Sequence, residues 1–526
     1  MNIGQSLCFD DVLMEPLLSK ISTRSSINLE SNIATNGRTL ILKTPLISSP
    51  MDTVTETDMA IKMALNGGIG IIHRFMDIDD QVSQITKVKR FLQYIIQEPY
   101  KIVPTTTFIE IEDLCNLYNV STFCVVDNIN TNKLLGIITK RDIEYMKQKQ
   151  YEIKTTTSYC DGINGIHYND IDNDNDIILE VNNFMTQNVI TLDINMTLHS
   201  LETTLSIAKE LMLERKIEKI PIVNNGILVG LITLNNIKHY ENNKSKACID
   251  TNGSLCVGAA IGIVDDYMER LDKLISVGVD LICIDVANGF NENVFKTIIL
   301  IREKYKEIVL MVGNVCNWQG YQALCNYDVD CIRIGVGNGS ICTTRLETGI
   351  GKGQFSAVYE CFRYKVEYNT QPHIICDGGS LGKTGNKVKA LACGASAIML
   401  GRTLASTEES PGTIIYRNGK RFKYIRGMAS TMANISKQEK TETETKTNNT
   451  KLKTKFTAEG VDGEQELTGS VVDVIEQING GVKSGLSYLG TENINQLHDK
   501  SYKGEIKFNL VTSIGMSETG IRVKTY

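Results

Sequence analysis

The sequence has 526 residues, of which 42% are hydrophobic, and its formal net charge at pH 7 is −6. This length allows two or three domains with sizeable cores, and the negative charge argues against nucleic acid as the main partner. No run of about 20 apolar residues predicts a membrane span, and the first residues do not open a signal peptide. We therefore expect no membrane partner and a cytoplasmic protein, with import into an organelle left open.

The first part of the chain, residues 1–95, predicts alternating strands and helices. An apolar strand is expected at 44–48, a helix at 58–66 and a second strand at 70–73. Strand, helix, strand is the start of an α/β barrel. Ser49 follows the first strand, where a serine can also cap a turn or a helix.

Residues 96–245 break this rhythm and contain an internal repeat, at about 96–147 and 179–245. In each copy, two strands joined by a tight turn lead to a threonine that opens a helix. Between the copies lies a polar insert, 148–178, which ends in alternating Asp and Asn residues. The insert lacks the glycine and the distal glutamate of a calcium loop. We therefore expect a solvated, mobile loop.

From residue 246 to 526 the barrel pattern resumes. Apolar strands are expected to end near Asp285, Asn314, Gly337, Asp377 and Gly401. The spacing leaves room for one helix after each strand, as a (β/α)₈ TIM barrel requires. Each apolar run ends in glycine or a polar residue, which places the chemistry on one rim of the barrel.

The late strands indicate a phosphate site. Asp377-Gly378-Gly379 and Gly401 follow strands at which such barrels commonly bind phosphate through backbone amides. A nucleoside monophosphate would suit this site, with the Asp377 carboxylate on the ribose hydroxyls.

The most distinctive stretch is the glycine-rich loop 335–345, G-V-G-N-G-S-I-C-T-T-R. Its alternating glycines let the backbone turn sharply and approach a ligand closely. Because the loop follows a predicted strand at 329–334, Cys342 is expected on the catalytic face, where a thiolate can act as a nucleophile. The alternative is that Cys342 is one of 14 cysteines, most of them buried and inert. The cysteines form no Cys-x-x-Cys pair, which favours free thiols in a reducing compartment.

This loop resembles the catalytic loop of the IMP dehydrogenase/GMP reductase family, G-x-G-S-[IV]-C-T-T-R. The stretches D-D-V-L (10–13), S-S-P-M-D-T-V-T-E (48–56), R-G-M-A-S (426–430) and T-A-E-G (457–460) extend the resemblance over nearly the whole chain. The repeat resembles a pair of cystathionine-β-synthase (CBS) modules. The resemblance implies a TIM barrel with an inserted CBS pair, and hydride transfer between a nicotinamide and purine C2 through a covalent adduct on Cys342.

The resemblance also assigns roles to single residues. Cys342 is the expected nucleophile, and Thr344 with Glu459 is the expected proton-transfer pair. Substrate contacts are expected from Ser49, Met51, Ser340, Asp377, Gly378, Gly379, Gly401, Arg402, Gly427, Met428 and Ala429. Dinucleotide contacts are expected from Asp285, Ala287, Asn288, Gly289 and Gly335. A monovalent cation such as K⁺ is expected on carbonyls of Gly337, Gly339 and Cys342, and a regulatory adenine or guanine nucleotide on Thr139, Asp142, Thr233 and Asn236.

Several positions depart from the family pattern. Ile425 stands where many IMP dehydrogenases have Tyr, Arg402 where they usually have Ser, and Asn236 where CBS modules usually have Asp. The Lys/Glu/Thr-rich run 436–454 is expected to be a mobile flap.

The two activities of the family differ in their sequence signals. D-V-A-N-G at 285–289 and the pattern after C-T-T-R resemble reductases, and the segment 431–458 contains neither the Arg nor the Tyr that dehydrogenases use to activate water. The N-terminal half and the CBS pair resemble dehydrogenases. The prediction is an NADPH-dependent GMP reductase that forms IMP and ammonia. IMP dehydrogenase is the alternative, and a nucleotide-sensing pseudoenzyme is the lesser one. The family implies a homotetramer that can pair into an octamer.

Overall fold

The computed structural model describes residues 4–92, 94–118, 120–160, 179–193, 201–264, 266–428, 458–512 and 515. The chain divides into two compact units. Unit 1 comprises Met1–Phe91, Asn243–Asp250 and Ser254–Tyr526, and unit 2 comprises Leu92–Asn242 and Thr251–Gly253. Across these described ranges, every helix is too short or too polar to cross a membrane.

Eight parallel strands of unit 1 close into a barrel. In chain order they are β1 (Leu46–Ser48), β2 (Ile69–Ile72), β3 (Val257–Ile261), β4 (Leu281–Asp285), β5 (Val309–Val315), β6 (Cys331–Ile334), β7 (His373–Asp377) and β8 (Ala397–Leu400). Neighbours in this order are hydrogen bonded, and β8 pairs with β1. The predicted (β/α)₈ barrel is therefore confirmed.

Among the residues that the structure describes, eight main helices accompany the strands. They are α1 (Thr57–Leu65), α2 (Ile78–Phe91), α3 (Tyr267–Ser276), α4 (Glu292–Lys304), α5 (Trp318–Cys325), α6 (Gln354–Glu367), α7 (Thr384–Ala392) and α8 (Val471–Tyr488). Helix α8 shows why such segments fold as they do. Its Ser470 side chain caps the first turn by accepting from Val472 N, and its buried residues recur at helical spacing.

The barrel strands are almost wholly apolar, because both of their faces are covered. One end of the barrel is closed by a short hairpin, Ser31–Asn32 with Ile41–Leu42. Its neighbours Ile33 and Leu40 join the strand side chains in one core. The polar groups lie at the opposite rim, where the strands have their carboxyl ends.

The other elements found among the described residues of unit 1 are short. A three-stranded antiparallel sheet contains Ile414–Arg417, Lys420–Arg426 and Asp462–Glu466, and Val12–Met14 pairs with Phe508–Leu510. The short helices are Thr344–Thr348, Arg402–Ala405 and Ile494–Tyr502, and 3₁₀ turns span Phe9–Asp11 and Arg24–Ser26.

Unit 2 contains the same topology twice. Each half has a three-stranded sheet with one parallel and one antiparallel pair. The first half contains strands Lys101–Ile102, Phe123–Val126 and Leu134–Ile138, with helices Phe108–Tyr118 and Lys140–Cys160. The second contains strands Leu192–Asp193, Lys219–Asn224 and Ile227–Thr233, with helices Leu201–Arg215 and Leu234–Lys244, and a 3₁₀ turn, Val181–Asn183, precedes it.

The segment between the halves begins differently from the prediction. The polar insert was expected from residue 148, but the helix continues to Cys160. Residues 148–159 contain no glycine or proline and include several good helix formers, so nothing there ends the helix. The acidic run 170–176 and the flap segment 436–454 lie outside the described residues.

Candidate functional site

The polar groups of the barrel meet at one rim because all eight strands are parallel. Asp285 and Asp377 are the last residues of β4 and β7, and Asn314 lies near the end of β5. Ser49 and Gly401 follow β1 and β8 directly. These residues surround the mouth of the barrel.

The glycine-rich loop follows β6, as the sequence predicts, and needs glycine at two positions. Gly335 has φ 150° and Gly337 has φ 68°, in the region that favours glycine. A Cβ atom on Gly335 would lie 2.2 Å from the Asp377 carbonyl oxygen. The loop therefore passes directly against the end of β7.

Cys342 is half-buried on this loop, and its Sγ lies 3.2 Å from Thr344 Oγ1. Other cysteines near the mouth have a different environment. Burial raises the pKa of Cys283 and of Cys376 to about 12, so both remain thiols at neutral pH. The alternative of a buried, inert cysteine therefore fits Cys283 and Cys376. Cys342 instead lies on the rim beside the Thr344 hydroxyl.

The segment around Glu459 lies along the catalytic loop. Thr343 N donates to Glu459 O at 2.9 Å, and Val461 N donates to Ile341 O at 3.0 Å. Cys342 and Gly460 form an antiparallel bridge. The main chain of this segment thus flanks the nucleophile, although the described residues show no hydrogen bond between the Glu459 carboxylate and Thr344.

The R-G-M segment joins the same cluster. Gly427 N donates to Val461 O at 3.1 Å, and a Cβ on Gly427 would lie 3.0 Å from Ile341 O. Arg426 Nε donates to Asp52 Oδ2 at 2.7 Å, and this hydrogen bond is the main reason why the pKa of Arg426 is raised. Met428 is half-buried, and Ala429 lies outside the described residues.

The predicted ribose and phosphate residues are tied to the catalytic loop. Asn338 Nδ2 donates to Asp377 O at 2.9 Å and also to Gln354 Oε1. Gly379 N donates to Asn338 O at 3.3 Å. Gly378 and Gly379 have φ 77° and 89°, the left-handed conformation of a tight turn. The structure therefore brings Asp377-Gly378-Gly379 against the loop that carries Cys342.

Ser49, Met51 and Gly401 form a second group at the ends of β1 and β8. A Cβ on Gly401 would lie 3.3 Å from Met51 Sδ and 3.5 Å from Ser49 Oγ. The exposed Arg402 instead donates from Nε to Gln465 Oε1 at 3.1 Å. Ser340 is exposed on the catalytic loop.

The predicted dinucleotide residues follow β4. Ala287 and Asn288 are exposed, while Gly289 is buried and donates to Asn314 O at 2.7 Å. Gly335 N donates to Val315 O at 2.8 Å, which holds the start of the catalytic loop on β5. Of the predicted cation ligands, Gly339 O already accepts from Cys342 N at 3.1 Å.

Sequence reasoning missed Arg333, whose buried guanidinium binds two rim carboxylates. Arg333 Nη1 lies 2.7 Å from Asp285 Oδ1, and Nη2 lies 2.8 Å from Asp377 Oδ2. A charged residue inside the apolar run C-I-R-I was the available signal, because a buried charge requires a partner. Asn314, which donates to Asp377 Oδ2 at 2.8 Å, Asn338 and Gln354 were also missed as site residues.

The four predicted regulatory residues of unit 2 begin two helices. Thr139 donates from both N (2.8 Å) and Oγ1 (2.7 Å) to Asp142 Oδ2. Asn236 N donates to Thr233 Oγ1 at 3.1 Å, and the two side chains are hydrogen bonded. Equivalent Thr–Asp and Thr–Asn pairs thus cap equivalent helices in the two halves.

Comparisons with known proteins agree on the family. The family model described as IMP dehydrogenase/GMP reductase domain matches residues 6–522. Inosine-5'-monophosphate dehydrogenase of Nitrosopumilus maritimus is 36% identical over 507 residues, which cover 95% of this chain and 96% of that one. The Bacillus subtilis enzyme of the same name is 35% identical over 98% of this chain and 95% of its own length.

Solved structures of the other activity are also similar. A Cys-to-Ala variant of Trypanosoma brucei GMP reductase in complex with guanosine 5'-monophosphate has a TM-score of 0.80 and 32% identity, with 99% of both chains covered. The Trypanosoma brucei enzyme in complex with guanosine 5'-triphosphate has a TM-score of 0.71 and 28% identity, with 97% of this chain and 99% of that one covered. With the barrel, the rim cysteine and the paired loops, these matches show that the chain is an oxidoreductase of the IMP dehydrogenase/GMP reductase family, whose members use a nicotinamide cofactor.

Proposed function

We propose that this protein is a GMP reductase, which converts GMP and NADPH, with one proton, into IMP, NADP⁺ and ammonia. The observation that carries the proposal is the composition of residues 431–458, which contain no Arg and no Tyr. In the dehydrogenases that this chain resembles, an Arg–Tyr pair in this segment activates the water that hydrolyses the adduct. Lysine is present in the segment, but its point charge does not reproduce the planar guanidinium fork.

The reductase reaction needs no activated water, and the rim carries the groups that it does need. Cys342 Sγ adds to purine C2. The Thr344 hydroxyl lies 3.2 Å from Sγ and relays a proton to the amine on C2. Glu459 protonates the amine of the tetrahedral adduct through Thr344, and the departure of ammonia leaves a thioimidate on Cys342. After C2 is reduced, the carbon–sulfur bond breaks, and IMP and the Cys342 thiolate separate.

The substrate and the dinucleotide are assigned to different sectors of the rim. The nucleotide would be held by Asp377, Gly378, Gly379, Gly401, Ser49 and Met51. The dinucleotide would be held by Asp285, Ala287, Asn288, Gly289 and Gly335. Buried Asn314 Oδ1 has no hydrogen-bond partner in the described part of the chain, so an acceptor remains available where the two sectors meet. The bound nicotinamide supplies the hydride that reduces C2. A K⁺ ion on the carbonyls of Gly337, Gly339 and Cys342 would hold the catalytic loop.

The assignment is tested by the direction of the nicotinamide absorbance change at 340 nm. Purified protein should consume NADPH when given GMP and should release ammonia in equal amount. The control is the same assay with IMP and NAD⁺, and Cys342→Ala serves as the blank in both. NADH formation from IMP without GMP-dependent loss of NADPH would overturn the proposal.

The second candidate is IMP dehydrogenase, and the curated relatives favour it. The relatives cited above carry that name at 35–36% identity over nearly the whole chain. The absorbance test decides between the two activities, because they move the signal in opposite directions.

We further propose that unit 2 is a CBS pair that binds adenine or guanine nucleotides and regulates the barrel. The duplicated topology and the matching Thr139–Asp142 and Thr233–Asn236 pairs support it. ATP and GTP should each be titrated into the activity assay and into sedimentation runs, where a homotetramer that pairs into an octamer is expected. A protein lacking residues 92–242 should keep activity but lose the nucleotide response, and a retained response would place the regulatory site in unit 1.

A further inference from the structure

A buried arginine joins the two sectors of the rim. Arg333 lies in the middle of β6, and its side chain is 7% exposed. Its two terminal nitrogens point to different carboxylates, one to Asp285 and one to Asp377, at 2.7 and 2.8 Å. Burial by itself lowers the pKa of Arg333, but the Cys283 sulfur and the two carboxylates outweigh it, and the pKa is raised well above its ordinary value. The guanidinium is therefore a fixed positive charge.

A glycine in the strand between Arg333 and Asp285 leaves room for the arginine side chain. Asp285 is on β4 and Arg333 is on β6, so the side chain must cross β5 to reach it. The register places Gly313 of β5 between them, paired with Asp285 on one side and Arg333 on the other. A Cβ on Gly313 would lie 2.6 Å from Arg333 Cβ. Glycine at this point lets one side chain contact both carboxylates.

Each carboxylate keeps one oxygen for a ligand. Arg333 occupies Asp285 Oδ1 and Asp377 Oδ2, and Asn314 also donates to Asp377 Oδ2. Within the described residues, Asp285 Oδ2 and Asp377 Oδ1 accept no hydrogen bond, and both side chains are partly exposed, at 20% and 18%. Two negative charges thus share one positive charge, and each has an open oxygen.

We propose that Arg333 is a positioning residue that couples nucleotide binding at Asp377 to dinucleotide binding at Asp285. This inference rests on the proposed assignment of those two carboxylates to the ribose and to the dinucleotide. Nucleotide hydroxyl groups that donate to Asp377 offset the negative charge of this carboxylate. Asp377 then attracts the Arg333 guanidinium less strongly and repels Asp285 less. The second ligand then finds Asp285 already oriented, and by linkage the effect is reciprocal.

The test measures binding and not turnover. The titrations are made in a Cys342→Ala background, the parent protein of this test, because GMP cannot add to the thiol there and lose ammonia. GMP and NADP⁺ also exchange no hydride, so their ternary complex is stable. The Kd of GMP is measured by calorimetry with and without saturating NADP⁺, and again with NAD⁺. In the parent protein we expect GMP to bind at least about fivefold more tightly when the dinucleotide is present.

Arg333→Lys keeps the charge but cannot reach both carboxylates with one planar fork, and it should reduce this ratio to about one. Asp285→Asn removes the charge from only one of the two carboxylates that Arg333 binds. It should also reduce the ratio to about one, while the Kd of GMP alone changes little. The matched control is Arg302→Lys, since half-buried Arg302 binds Asp330, the residue just before β6 at the other end of the barrel. The control should keep the ratio.

A parent ratio of one, a ratio kept by both Arg333→Lys and Asp285→Asn, or a ratio lost equally in Arg302→Lys would overturn the coupling. These outcomes are separate from a failure of the reductase assignment. The latter is read from the absorbance assay, whereas the titrations need only bound ligands.

Discussion

Cys342 is the residue on which the proposed chemistry depends. We expect Cys342→Ser to abolish turnover, because a serine hydroxyl is a far weaker nucleophile than a thiolate at neutral pH. The Kd of GMP should stay within about threefold, since the predicted ribose and phosphate contacts lie on Asp377, Gly378 and Gly379. Turnover and calorimetric binding are measured on the same preparation. A variant that kept a tenth of the parent rate would rule out a covalent role.

Glu459 is expected to supply the proton that lets the amine leave as ammonia. Glu459→Gln keeps the shape and removes the acid, so ammonia release should slow by about 10²-fold or more. The backbone bond from Thr343 N to Glu459 O, 2.9 Å long, should survive the substitution. GMP binding therefore serves as the internal control. A variant with unchanged single-turnover ammonia release would assign the proton to another group.

At the scale of single elements, a glycine in strand β5 leaves the space that the neighbouring Arg333 side chain needs. Gly313→Ala places a methyl group 2.6 Å from Arg333 Cβ and 2.9 Å from Arg333 O. Overpacking of this kind costs about 1–3 kcal/mol, and here it also displaces the arginine from Asp285 and Asp377. We expect lower resistance to urea together with weaker GMP binding.

Gly463→Ala is the matched control for Gly313→Ala. Gly463 also lies in a strand, Asp462–Glu466, and a Cβ there would meet nothing within 4 Å. Its stability and GMP affinity should match the parent within experimental error. Equal effects of the two substitutions would show that loss of glycine, and not contact with Arg333, causes the change.

Elements also explain why distant segments reach Cys342. The sheet that contains Lys420–Arg426 and Asp462–Glu466 pairs Arg426 with Asp462. This pairing places Gly427 beside Val461, whose N–H in turn bonds Ile341 O at 3.0 Å. A small antiparallel sheet therefore carries both Glu459 and the R-G-M segment to the catalytic loop.

At the scale of the whole molecule, two histidines make unit 1 sensitive to acid. Burial lowers the pKa of His373 and of His498 to about 4, and in both cases Lys365 adds to the effect. The unfolded chain binds these protons near pH 6.5. Their contribution to stability is therefore complete above about pH 6.5 and is lost as the pH falls toward 4, by about 1.4 kcal/mol per pH unit and histidine.

The acid sensitivity is measured as the free energy of unfolding in urea at pH 7.5 and at pH 5. His498→Gln removes one titrating group and keeps an amide donor for Ala395 O, which His498 Nε2 contacts at 3.1 Å. The variant should lose less stability than the parent between the two pH values. An equal loss in both proteins would assign the acid sensitivity to other groups, such as the paired carboxylates.

The sequence by itself determined the barrel, the repeat and the catalytic loop, because these depend on local patterns. Apolar runs that end in Asp or Gly predicted β4, β7 and β8, and alternating glycines predicted the turn that carries Cys342. The Thr–Asp and Thr–Asn pairs of unit 2 were likewise visible as helix starts. The individual roles of Thr344, Glu459 and the ligand-binding residues came from the family resemblance and stay predictions.

Only the tertiary structure decided which of these groups meet. Arg333 is 48 residues from Asp285 and 44 from Asp377 in sequence, and it reaches both only because barrel closure sets β4 to β7 side by side in a fixed register. The pairing of Glu459 with Thr343 depends in the same way on a sheet built from separate segments. Such contacts arise from strand register and packing over long sequence distances, so no local pattern in the chain encodes them.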